Sequence, residues 1–169
     1  GNTLVSSNNL VTFFRPASAE GQNWDGNRYY GGADQLFKVD DQGMGFDEWK
    51  SATGFDGGSS YEGGRPAQNA VFVRPNQYEG KRAHIVVYNW ENAESVGVDL
   101  SGVLEPGDSF RIMDAQNVFG DPVASGTYEG GAVSLPMNLG AVAEITGELK
   151  HFSNTHTPAE FNVFVLLPN

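Results

Sequence analysis

"NAVFVRPNQYEGKRAHIVVYNWENAESVGVDLSG", residues 69–102, decides the fold class. Three runs rich in Val, Ile, Phe and Tyr are separated by clusters of Pro, Asn, Gly and Glu, the chemistry of turns. Val71 and Val73 alternate with Phe72 and Arg74, and Val96, Val98 and Leu100 alternate with Ser95, Gly97 and Asp99. A period of two is that of a strand with one buried face. Between these runs, residues 84–89 are apolar on nearly both faces (His84, Val86 and Tyr88 against Ile85, Val87 and Asn89), as suits a central strand. The stretch predicts consecutive strands.

Working outward, Pro106-Gly107-Asp108 supplies a turn, because Pro presets φ and Gly accepts the positive φ that follows. Phe110 and Ile112 then point inward. Further strands are expected at 122–124, 132–135 and 161–167, the last an apolar "FNVFVLL" suited to a buried closing strand. Residues 1–65 have a different texture: many Asn and Gly, short apolar pieces ("LVTFF", "QLFKV") and one helix, "FDEWKSATG". There Asp47 is expected to cap the start, Phe46 and Trp49 to share a face, and Gly54 to take the left-handed position that ends it. A boundary is expected within residues 57–68, where Gly, Ser and Pro cluster. It divides the chain into a β-rich segment, 1–65, packed on a β-sandwich domain, 66–169.

Composition excludes several classes of function. A chain of 169 residues can bury a core without staples, and the absence of cysteine removes disulfides and thiolate metal sites. Lys and Arg number 10 against 21 Asp and Glu, and a net charge of -11 repels nucleic acid and anionic membrane surfaces. No apolar run approaches the roughly 20 residues of a membrane span. Because the chain opens at Gly1 with no basic, apolar leader, it is expected to be a processed protein or a piece of a longer one.

Several segments resemble the C-terminal end of bacterial secreted right-handed parallel β-helix proteins of the pectate-lyase-like, polysaccharide-processing type. "WDGNRYYG" resembles the Asn-and-aromatic segment of a late coil, and "FDEWKSATGFDGGSS" the Trp-containing helix and Gly-x-Asp turn that follow the last coils. "VFVRPNQYEGKRAHIVVYNWENAESVGVDLS" and "GDSFRIMDAQNVFGDPVASGTYEGGAVSLPM" are similar to the small β-sandwich appended after them. The likeness covers most of residues 8–137 and the final strand, while 138–158 has no counterpart. It implies an all-β fold, an antiparallel β-sandwich preceded by short β-coil segments and one short helix, in an extracellular or cell-surface protein whose signal peptide has been removed. In such proteins the lyase or hydrolase chemistry sits on the long coils, so no catalytic residue is carried over to this chain.

The residues agree that the chain is not an enzyme. His84, His151 and His156 show no metal-binding spacing, and the neighbouring carboxylates Asp40-Asp41 and Asp47-Glu48 do not make the separated pair that glycoside hydrolysis needs. No cofactor is expected except a calcium ion: "NWDGN" and "DDQG" offer hard oxygen ligands in Asp25, Asn27, Asp40 and Asp41. Flat rings beside Asn, Asp and Arg are how sugars are held, which makes Trp24, Tyr29, Tyr30 and Trp90 carbohydrate-binding candidates. Trp49, paired with Phe46 on a helix face, is read as core. The function expected is therefore a noncatalytic carbohydrate-binding or structural module whose partner is a polysaccharide. The alternative is a self-assembling, filament-forming subunit whose partner is a copy of itself. In that reading Leu4, Leu10, Val11, Phe13 and Phe14 make the contact between chains, on a segment with no charge to guard its strand edges.

Overall fold

A repeated path of short strands makes the first of two units, Gly1–Pro66. The structure is a computed structural model that describes residues 1–14, 21–32, 34–147 and 154–169. In order come β1 (Thr3–Ser6), β2 (Val11–Phe13), β3 (Arg28–Gly31), β4 (Phe37–Val39), β5 (Gln42–Met44), the helix α1 (Phe46–Thr53) and β6 (Ser60–Gly63). β1, β3 and β6 pair in parallel as one sheet, and β2 pairs in parallel with β4, which a hairpin joins to antiparallel β5. Successive turns of chain therefore stack as coils, with Leu4, Tyr29 and Tyr61 in one inward rung and Val5, Tyr30 and Glu62 in the next, outward one. Tyr29, Leu36, Phe37 and Trp49 are almost wholly buried between the two sheets and α1. Gly31 is required by this close approach, since a β-carbon there would meet the Leu36 side chain and lie 2.9 Å from the Ser6 carbonyl oxygen.

The helix begins two residues earlier than an Asp47 cap would set it. Gly45 occupies the N-cap with no side-chain bond, and Asp47 sits inside the first turn, 2.9 Å from Lys50. There it complements the positive end of the helix dipole instead of capping it. Gly54 ends the helix at φ +73°, its N–H donating to the Lys50 carbonyl, as expected. β6 lies inside the Gly- and Ser-rich stretch expected to be a boundary, because its partner β3 supplies the pairing that its own composition does not signal.

The second unit, Ala67–Asn169, is an antiparallel β-sandwich. Its strands are β7 (Ala70–Pro75), β8 (Ala83–Tyr88), β9 (Ser95–Asp99), β10 (Ser109–Asp114), β11 (Ala124–Thr127), β12 (Ala132–Pro136) and β13 (Phe161–Pro168). Five form a sheet in the order β11-β10-β13-β8-β7, and β12 pairs with β9. Period-two alternation decides what faces inward: Ile85 and Val87, Val96 and Val98, Ile112, Leu135, Phe164 and Leu166 are buried in one cluster. The closing strand is the middle strand of the larger sheet, between β10 and β8. Gly107, at φ +98°, turns the chain into β10 as its Pro-Gly-Asp sequence requires. β11 starts at Ala124, later than expected, since Val123 bonds to Ile112 before the ladder begins.

Candidate functional site

Because inward positions of the five-stranded sheet alternate with outward ones, the outer face can be read row by row. The first row is Ala70, Tyr88 and Phe161; the second is Phe72, Val86 and Val163; the third is Arg74 and His84, both exposed, followed by Val165 and Met113, both buried. Leu167, Arg111 and Ser125 follow in a fourth, at the end where Arg82 enters β8. Aromatic rings gather at one end. Trp90 stacks on Tyr88 at 5.5 Å between centroids and 19° between planes, Phe161 lies 5.1 Å from the same Tyr88 ring, and Phe72 meets it edge-on at 6.2 Å. Phe72 is 45% exposed, and Tyr88, Trp90 and Phe161 are half-buried, so the rings are supported from below and open above. Arg74 extends this apolar area, its guanidinium 5.9 Å from the Phe72 ring.

The carbohydrate candidates chosen from sequence separate on this structure. Trp90 belongs to the outer face. Tyr29 is instead a core residue, 1% exposed, with its hydroxyl donating to Asp56 Oδ2 at 2.9 Å. Burial is the main cause of its pKa rising to about 12. Trp24 stacks on Phe55 at 5.5 Å and donates its indole N–H to the Tyr29 hydroxyl, so one ring face and its polar atom serve the coil unit's interior. Tyr30 is half-buried on the outward rung of that unit. Phe72, Tyr88 and Phe161 were not among the sequence candidates. For Tyr88 a signal was present in the two-faced apolar character of residues 84–89, since a sheet face turned to solvent does not need Tyr88 beside Val86.

Of the oxygen-rich candidates, Asp25 and Asn27 are engaged in local hydrogen bonds. Asp25 Oδ1 accepts the Gly58 N–H at 2.6 Å, and the Gly26 and Gly58 N–H groups hold its carboxyl below the ordinary value. Asn27 accepts two hydrogen bonds from Asn2 and donates to Asp56 and Tyr29. Asp40, at φ +55°, and Asp41 form the turn between β4 and β5. Among the described residues no group of three or more His, Asp or Glu side chains is placed to hold a metal ion.

Two buried polar clusters were also missed, and both hold structure together. Asp56 accepts from Tyr29 and Trp49 on one oxygen and from Asn27 and Ser59 on the other, at 2.6 to 2.9 Å, and so ties both stacked coils to the helix. In the sandwich, His156 Nε2 lies 3.0 Å from Asp114 Oδ2 and Nδ1 lies 2.8 Å from the Thr157 carbonyl oxygen. Although an Asp–His pair invites comparison with a nucleophile's base, the His156 side chain is only 4% exposed and Thr157 Oγ1 donates to Gln116. The pair fastens the end of the 138–158 segment to the sheet, with Ala143 donating to the Gln116 carbonyl as a second tie. His84 is exposed on the outer face, and His151 lies outside the described residues.

The self-association candidates lie on the first coil. Val11 is buried, Leu4, Leu10 and Phe13 pack partly against the coil core, and Phe14 is 65% exposed. Among the described residues β1 and β2 are each the outermost strand of their sheet, paired on one side only. No described helix is long and apolar enough to cross a membrane. No protein-family model matches the sequence, and comparison with curated proteins and with solved structures gives no match.

Proposed function

We propose that the chain is a noncatalytic extracellular module of a polysaccharide-processing or surface β-helix protein, and that it binds carbohydrate on the outer face of its five-stranded sheet. The stacked Tyr88–Trp90 pair, flanked by Phe72 and Phe161, carries this reading. Sugar C–H faces lie on flat rings, and a ring braced by a second ring keeps its orientation at small entropic cost. β7, β8 and β13 hold Phe72, Tyr88 and Phe161 more rigidly than loops would, and Trp90 stacks on Tyr88 from the turn that follows β8. Affinity electrophoresis against a polysaccharide panel tests it: Trp90→Ala should weaken binding about 10- to 100-fold with an unchanged melting temperature. Equal retardation of wild type and Trp90→Ala on every gel that retards either would remove the platform.

The outermost position of both β1 and β2 favours a second reading, a subunit that assembles through its first coil. Unpaired N–H and C=O groups on adjacent strands template another chain, and residues 1–14 contain no charged side chain to discourage it. Negative-stain microscopy distinguishes fibres from discrete particles.

A further inference from the structure

We propose that the ligand of this sheet face is an anionic glycan, one bearing carboxylate or sulfate groups spaced along its length. The proposal rests on the carbohydrate-binding reading above and adds the charge class of the ligand. Arg74, Arg82 and Arg111 are the only three arginines of residues 67–169; strand alternation turns Arg74 and Arg111 to the outer face, and Arg82 is the half-buried residue immediately before β8. His84 lies exposed in the same row as Arg74. The outward positions of the five strands include no Asp or Glu at all, in a chain where acids outnumber bases 21 to 10. An ordinary solvated face of so acidic a protein would be expected to mix both signs. Among the described residues neither Arg74 nor Arg111 belongs to an ion pair, and both are exposed. Arg82 is bonded to Glu79 through one terminal nitrogen, at 2.8 Å, while its buried Nε has no partner.

The arrangement along the strands matters as much as the sign. Arg74 is two residues along β7 from Phe72, and His84 is four residues along β8 from Tyr88, separations of about 7 and 13 Å. A chain that laid one ring on the Tyr88–Trp90 platform would carry its next acidic groups toward the guanidinium rows. Arginine is suited to this task because its planar fork gives carboxylate or sulfate two parallel hydrogen bonds. The acidic remainder of the molecule disfavours dense phosphate polyanions, whereas spaced charges with apolar ring faces between them use both halves of the face.

Matched polymers test the charge class directly. The full chain is run in native gels containing carboxymethyl-cellulose or hydroxyethyl-cellulose, and dextran sulfate or dextran, each pair sharing a backbone. Retardation by the charged member of at least one pair, weakening as salt rises, is expected, and the pair that responds separates a carboxylate from a sulfate ligand. Arg74→Gln and Arg111→Gln should each cut that retardation about tenfold at an unchanged melting temperature. Equal binding to charged and neutral partners, insensitive to both variants, overturns the charge class and leaves the aromatic platform standing. Retardation on none of the gels removes both. A single-stranded oligonucleotide bound as tightly as the charged glycan would assign the face to phosphate polyanions and overturn the proposal as well.

Discussion

Asp56 shows how much one residue can organise. Four donors from four side chains converge on its two oxygens, and its backbone is held at φ +59° by the turn after α1. Asparagine tolerates that left-handed conformation but replaces one acceptor oxygen with an NH2 group, so Asp56→Asn isolates the hydrogen bonding from the backbone. Two buried donors would then face another donor, and a loss of about 2 to 4 kcal/mol in denaturant melts is expected. Tyr29 reports on the same cluster by pH. Its folded-state pKa is raised to about 12 from 10.0, so its contribution is fully present below pH 10 and is lost as pH climbs through about 12. Alkaline titration should show stability falling in that window, and Tyr29→Phe should flatten the fall; an unchanged profile in the variant would mean another group is responsible. Asp56 is not conspicuous in the sequence, and Tyr29 stands out there as a candidate sugar-binding ring and not as part of a buried cluster. Asn27, Tyr29, Trp49, Asp56 and Ser59 are dispersed along the chain, and only stacking of the coils brings them together.

Elements were more legible than sites, for a physical reason. Alternation of Val, Ile and Phe with polar residues is a local signal, so the strands of residues 69–102 and the closing strand can be read without knowing their partners. β5 and β6, made of Gln-Gly-Met and Ser-Tyr-Glu-Gly, carry no such signal and exist because β4 and β3 offer them edges. The outer face suffers from the opposite problem: a strand apolar on both sides reads as buried on both sides, which hides Tyr88 among core positions. β13 shows how far an element's place can outweigh its length. It pairs with β10 on one side and β8 on the other, and Phe164 and Leu166 are wholly buried. Deleting residues 159–169 would split the larger sheet into β10–β11 and β7–β8 and uncover the core between them. The truncated chain should lose cooperative unfolding of the sandwich by calorimetry; a transition as sharp as the parent's would show that the core closes without this strand. Gly31→Ala makes a smaller test in the coil unit, expected to lower its melting temperature because the added methyl meets the Leu36 side chain.

For the molecule as a whole, a net charge of -11 sets how each proposed contact responds to salt. Copies of so acidic a chain repel one another at low ionic strength, where the screening length is about 30 Å at 0.01 M; at physiological salt it falls to about 8 Å. Association through the uncharged first coil should therefore strengthen as salt is added. Binding of an anionic glycan to Arg74 and Arg111 should weaken over the same range, because the attraction itself is screened. Opposite slopes let one titration separate the two roles. Thr12 is the position at which to intervene: it is exposed on β2 between buried Val11 and half-buried Phe13, and it stands opposite Lys38. Thr12→Glu gains a favourable neighbour within the chain and places a charge on the open edge, the device by which natural edge strands avoid pairing. Sedimentation velocity should show wild type forming heavier species at high salt while Thr12→Glu stays monomeric with its melting temperature preserved. Heavier species that form equally in both proteins would place the contact elsewhere than the first coil, and a wild type that stays monomeric at every salt concentration would leave carbohydrate binding as the one proposed role of the chain.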